Sequence, residues 1–104
     1  MPAYCSAVDS LKSAAAQLKD SGSVSAIIPS ITKVYSTGEM AIAAVKTAFV
    51  SQTAALKSSL TSLYNSVKQL TSSSTRASAL QQLPSEATAV KTAAAQFVAA
   101  TKCG

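Results

Sequence analysis

The chain of 104 residues contains no histidine, and its four carboxylate residues stand against nine lysine and arginine residues. Without histidine, the usual acid–base group near neutral pH is missing. Four scattered carboxylates give a carboxylate pair or a metal site little to build on. The sequence also lacks a G-x-S-x-G elbow, a glycine-rich phosphate loop and a C-x-x-C pair. We therefore predict a protein that is not an enzyme and that needs no metal ion or other cofactor.

Charged and aromatic residues are both scarce. Charged residues make up 12% of the chain, about half the usual share of roughly 25%, so serine and threonine must supply most of the polar surface. With aromatic residues at 5%, the core has to be built from leucine, valine, isoleucine and alanine, with helices packed close together. This alanine-rich composition favours an extracytoplasmic protein over a cytosolic enzyme.

Long apolar segments are missing as well. No uncharged apolar run reaches the roughly 18 residues that a membrane-spanning helix needs. The first residues show neither a basic segment nor an apolar segment of the kind found in signal peptides. If the protein is exported, we expect that Met1 was added to a mature chain.

The net charge of +5 is spread along the chain. No two of the eight lysines are adjacent, and Arg76 is the one arginine. The sequence therefore lacks the clustered basic residues, interleaved with aromatic ones, that are typical of nucleic-acid-binding proteins. The simplest interpretation is a solvated surface that keeps the protein soluble. The alternative is weak, salt-sensitive contact with an anionic membrane surface or polymer.

The clearest positive pattern is a helical stripe in the stretch 49–70. From Leu56 onward its apolar residues recur in steps of four, three, four and three, which is the spacing of one face of an α-helix. A helix with one apolar stripe must bury it against partners. The stripe consists of Phe49, Leu56, Leu60, Leu63, Val67 and Leu70.

Similar stripes before and after this stretch predict an all-α, up-down-up-down four-helix bundle in a single domain over residues 1–104. We expect the first helix to open with a capping box at Ser6, and Gly22 to form its left-handed cap. Ser51 and Ser85 are expected to cap the third and fourth helices. The predicted helices span residues of about 5–20, 24–49, 51–71 and 84–102.

Four places leave the helix boundaries open. One is a slip in the apolar stripe between Phe49 and Leu60, which indicates either a stutter in an unbroken helix or the expected corner near Ser51. Pro29 either moves the start of the second helix towards Ile28 or kinks it, because proline removes a hydrogen bond from a helix interior. The segment Ser36–Glu39 is a second capping-box pattern, which indicates either a break or a weak point in a continuous helix. Between residues 71 and 84, a polar loop followed by a short apolar segment at Leu80, Leu83 and Pro84 is expected to close one end of the bundle.

Two cysteines, Cys5 and Cys103, bracket nearly the whole chain. In an up-down-up-down bundle the first and last helix ends lie together, so this topology favours one disulfide between the termini. Such a bond indicates an oxidising compartment. The alternative is a pair of free thiols in a reducing compartment.

For function, the sequence favours a structural or interaction role, with an unknown protein or cell-envelope component as partner. The alternative is a carrier of a lipid or other apolar small molecule in the bundle interior, because alanines that face bulky residues leave apolar space between helices. In that case Tyr35, Phe49, Tyr64 and Phe97 would line the ligand site. These four rings are equally consistent with simple filling of the core.

The layout resembles a group of small exported helical proteins of actinobacteria, most of them uncharacterised. The resemblance implies export after removal of a signal peptide, a disulfide between the termini and no known enzymatic activity. The features that carry it are an opening cysteine, a D-x-L-K-S helix, a run of leucine repeats and a closing cysteine. The matching residues are Cys5, Asp9, Leu11, Lys12, Ser13, Leu56, Leu60, Leu63, Val67, Phe97 and Cys103.

Overall fold

The computed structural model describes residues 3–19, 22–45 and 48–103, and within them it forms four α-helices and no strand. Each helix packs against the next one in the chain, and the last packs against the first. The prediction of an all-α, up-down-up-down four-helix bundle is confirmed. The helices are α1 (Cys5–Ala16), α2 (Val24–Val45), α3 (Val50–Leu70) and α4 (Arg76–Thr101).

The predicted stripes form the core between these helices. On α3, the four leucines of the stripe are buried, while Phe49 and Val67 are partly buried at its edges. On α4, the core stripe predicted from the sequence, Ala87, Val90, Ala94 and Phe97, is buried. Burial continues one turn further to Thr101, whose hydroxyl donates a hydrogen bond to the Val98 carbonyl. The largest of the fully buried side chains is Phe97.

Helix α1 starts at Cys5, where it was predicted to start, and ends at Ala16, about four residues sooner than predicted. Tyr4 occupies the cap position without a side-chain hydrogen bond, and Ser6 lies inside the helix. The prediction of a capping box at Ser6 was therefore wrong. After Ala16 the backbone N–H of Lys19 donates to the Ser30 hydroxyl of α2. Gly22 does have a left-handed φ of 102°, but it lies just before α2 and does not cap α1.

Helix α2 continues without a break through both places where the sequence left its course open. It begins at Val24, so Pro29 lies inside it and does not delay its start. The segment Ser36–Glu39 is helical, and Gly38 is buried there against Leu60 of α3. A close approach of two helices therefore explains this glycine, and a helix break does not.

The corner between α2 and α3 lies slightly before its predicted position. Phe49 takes the left-handed conformation (φ 58°, ψ 46°) as the cap residue of α3, and Ser51 is already inside the helix. The Phe49 ring packs edge-on against the Tyr4 ring with 6.1 Å between centroids. This contact helps to offset the left-handed conformation of Phe49, which costs about 1–2 kcal/mol. Lys46 and Thr47, predicted to belong to the second helix, lie outside the described residues.

The prediction that the fourth helix starts near Ser85 was wrong, because α4 begins at Arg76 and includes Pro84. The Thr75 hydroxyl and the Arg76 guanidinium donate hydrogen bonds to the carbonyls of Gln69 and Leu70. These bonds cap the end of α3 and allow the next helix to start after a short turn. The expected apolar clip is therefore part of α4, with Leu83 fully buried.

Candidate functional site

An open groove with a volume of about 610 Å³ lies on the surface between α1 and α4. Apart from three lysines, its lining side chains are small and apolar. We call it the alanine groove. It is lined by Lys12, Ala15 and Ala16 of α1 and by Lys91, Ala94, Ala95, Val98, Ala99 and Lys102 of α4.

The groove follows from the spacing of small residues along α4. Its α4 residues recur at steps of three, one, three, one and three, so they share one helix face. Ala15, Ala94 and Val98 are buried and form the floor, whereas Ala16, Ala95 and Ala99 are exposed. Since an alanine side chain ends at its β-carbon, space remains between the two helices that larger side chains would fill.

The two walls of the groove differ in length. The α4 wall runs from Lys91 to Lys102, roughly 16 Å at 1.5 Å per residue. The α1 wall runs only from Lys12 to Ala16, roughly 6 Å. The groove is therefore an elongated trough along α4 that α1 borders over part of its length.

The charged residues that line the groove in the described part of the chain are all positive. Lys91 and Lys102 stand at the two ends of the α4 wall, and Lys12 stands on the α1 side. The nearest carboxylate along α1, Asp9, borders a different cleft, which contains Lys33 of α2. Three cations without a carboxylate among the lining residues give the groove a positive potential that attracts anions.

A smaller cleft of about 180 Å³ lies between α2 and α3, next to a tyrosine pair. The rings of Tyr35 and Tyr64 stack with 4.3 Å between centroids. Hydrogen bonding to the Glu39 carboxylate, followed by burial and the charges of Glu39 and ionised Tyr64, raises the pKa of Tyr35 above its ordinary value. This cleft is lined by the Glu39 carboxylate and by Lys57, so a negative and a positive charge offset each other there.

The four aromatic residues predicted to line a ligand site occupy three different settings. Tyr35 and Tyr64 form the stacked pair, Phe49 packs against Tyr4 at the corner, and Phe97 is fully buried in the core. None of the four lines the alanine groove. The structure pairs two of these rings and does not bring all four together.

The groove was missed at the sequence level, although the sequence carries its signal. On α4, Ala95, Val98 and Lys102 form a second stripe one residue beyond the core stripe. The bulky core residues give the stronger periodic signal. Alanine is weakly apolar and occurs both in the core and on the surface of a bundle, so this face does not stand out in the sequence. The position of α1 beside it follows only from the three-dimensional arrangement.

The predicted disulfide between Cys5 and Cys103 is confirmed, with 5.3 Å between the two α-carbons. Both residues are buried at the end of the bundle where α1 starts and α4 ends. Bonds of this kind persist in oxidising compartments. None of the described helices combines the length and the apolar character needed to cross a membrane.

Among residues 3–19, 22–45 and 48–103, no three histidine, cysteine, aspartate or glutamate side chains lie close enough together to hold a metal ion. Comparison with known proteins adds no further information on the site. No protein-family model, curated protein or solved structure matches the chain.

Proposed function

We propose that this chain is a non-enzymatic, exported protein that acts by binding a partner at the cell envelope or outside the cell, and that the alanine groove is its binding surface. The observation that carries the proposal is the groove itself, an apolar trough with a cationic rim at the surface of a covalently closed bundle. The disulfide and the resemblance to exported actinobacterial proteins support the extracytoplasmic part of the proposal.

A second candidate function is carriage of an apolar small molecule. Small-molecule sites typically occupy about 300 to 1,000 Å³, and the groove volume of about 610 Å³ falls within this range. This favours a carrier whose ligand lies on the surface between α1 and α4, and not in the bundle interior.

Fractionation of cells that carry the native gene tests the compartment. The native protein is followed by immunoblot in the culture medium, the envelope fraction and the cytosol, with thiol alkylation before lysis. We expect oxidised protein in the medium or the envelope fraction. Reduced protein confined to the cytosol would refute the proposed location.

The binding surface is tested with N-phenylnaphthylamine, an uncharged dye whose fluorescence increases in apolar surroundings. We expect the oxidised protein to bind it, and Ala95→Phe to abolish binding because the ring fills the groove. The matched control is Ala89→Phe, at another exposed alanine of α4 outside the groove. Absence of dye binding, or equal binding by both variants, would contradict the assignment of the groove.

A further inference from the structure

The lining of the alanine groove specifies the chemistry of its occupant. Its floor is apolar, so an occupant with an apolar body gains the free energy of leaving water there. Among the described residues, its rim carries three lysines and no carboxylate, so the occupant gains further from a negative group. Ammonium–carboxylate contacts are among the stronger hydrogen bonds that proteins make.

The size of the groove favours a small molecule over a protein partner. Nine residues of the ranges 3–19, 22–45 and 48–103 line it, whereas a standard protein–protein interface contains about 20 to 30 residues on each side. A groove of about 610 Å³ instead matches the usual size of small-molecule sites.

The shape of the groove favours a flexible chain. A rigid helix lying in it would contact α4 over roughly 16 Å but α1 over only roughly 6 Å, because the two walls differ in length. An alkyl chain follows the longer wall and needs little support from the shorter one. It also fits the narrow space that alanines leave between two packed helices.

Two other occupants conflict with the charge and the small side chains of the groove. A second copy placed symmetrically on the same surface would bring like-charged lysines together, which is unfavourable. A membrane surface would need apolar side chains that project into it. The groove offers alanines, whose side chains end at the β-carbon, and the exposed large apolar residues of the described chain, Met40 and Val50, lie on α2 and α3.

We propose that the alanine groove binds a free fatty acid, with its alkyl chain along α4 between Lys91 and Lys102 and its carboxylate at a lysine at one end. Lys12 adds a cation beside the chain. This inference rests on the proposed function of the groove as a binding surface, in its second form, carriage of an apolar small molecule, because it names the ligand class of the same groove. Laurate is the probe because its extended length is comparable to the α4 wall.

Displacement of N-phenylnaphthylamine from the oxidised full chain tests the proposal. Three competitors share one alkyl chain and differ in charge: laurate, dodecanol and dodecyltrimethylammonium. The two ions are used below their micellar concentrations, and dodecanol is used below its solubility limit. We expect laurate to bind about tenfold more tightly than dodecanol, as a single charge-assisted contact would allow. Dodecyltrimethylammonium is expected to bind most weakly.

Lysine variants locate the charge effect. Replacing all three groove lysines by methionine (K12M/K91M/K102M) keeps the apolar stems and is expected to remove the preference for laurate over dodecanol. The matched control replaces three lysines on α2 and α3 (K33M/K57M/K68M), which changes the net charge equally. The control is expected to keep the preference within about twofold, since distant surface charges are screened by salt.

The outcomes separate this proposal from the function on which it rests. If all three competitors displace the dye equally and Ala95→Phe still blocks them, the binding surface stands and the fatty-acid assignment falls. If an acidic amphipathic peptide displaces the dye and laurate does not, the assignment is also wrong. If the dye itself does not bind, both the proposed function and this inference fail.

Discussion

Gly38 of α2 lies so close to Leu60 of α3 that a β-carbon at position 38 would overlap the Leu60 Cδ1 atom. Both residues are buried. Glycine inside a helix costs about 1 kcal/mol relative to alanine, so its presence here reflects the close approach of the two helices. At this pair, the packing of α2 against α3 depends on side-chain size.

The Gly38–Leu60 contact predicts a coupling between two substitutions. Gly38→Ala alone is expected to gain little stability, because the helix-propensity gain is offset by displacement of Leu60. In the Leu60→Ala background the same change should be more favourable by about 1–2 kcal/mol. Urea unfolding followed by circular dichroism measures both. Ser36→Ala, at an exposed site of α2, is the control and should not couple to position 60.

Removal of the terminal disulfide is expected to destabilise the bundle. The bond joins residues 98 positions apart, and loss of a native disulfide from a small domain typically costs about 2–5 kcal/mol. We expect the double variant C5S/C103S to unfold at a lower denaturant concentration and to remain helical in water. Reduced wild-type protein is the second comparison. If oxidised, reduced and variant proteins shared one unfolding midpoint, the account of the closed bundle would be wrong.

Ser66 forms a polar contact between α3 and α4. Its side chain is buried, and its hydroxyl donates a hydrogen bond to the Glu86 carboxylate. Ser66→Ala should cost about 1–3 kcal/mol, because the partly buried carboxylate loses its partner. Ser62→Ala, one turn earlier on the exposed face of α3, is the control. We expect this control to be neutral or slightly stabilising, since alanine favours helix.

The tyrosine pair predicts a pH effect on stability. The Glu39 interaction raises the pKa of Tyr35 above its ordinary value, and the unfolded value is about 10. The contribution of the Tyr35–Glu39 interaction to folding stability is therefore complete below pH about 10 and is lost as the pH rises through the folded-state pKa of Tyr35. Ultraviolet titration in a Tyr4→Phe/Tyr64→Phe background follows Tyr35 alone. Glu39→Gln should lower its pKa, and Glu86→Gln should leave it unchanged.

The sequence determined the bundle well because its main signals are periodic. The leucine stripe of α3 is a feature of spacing and requires only one helix face to be buried. The cysteine pair lies near the two ends of the chain, and the up-down-up-down topology brings these ends together. The starts of α3 and α4 were harder to predict. Phe49 caps α3 in a conformation that glycine usually takes, and hydrogen bonds from Thr75 and Arg76 to the preceding helix let α4 start before Pro84.

The candidate site was harder to predict than the fold for a physical reason. Ala95 and Ala99 belong to a helix face next to the core stripe, and alanine gives no indication of whether a partner covers it. Whether such a face forms a groove depends on where α1 ends. That end was predicted near residue 20 and lies at Ala16.

The most direct measurement is a chemical-shift titration of isotope-labelled oxidised protein with laurate. The account predicts saturable backbone amide shifts concentrated in residues 12–16 of α1 and residues 91–102 of α4, with little change at Tyr35 or Leu60. Shifts absent at saturating laurate, or centred on α2 and α3, would contradict the account of the alanine groove.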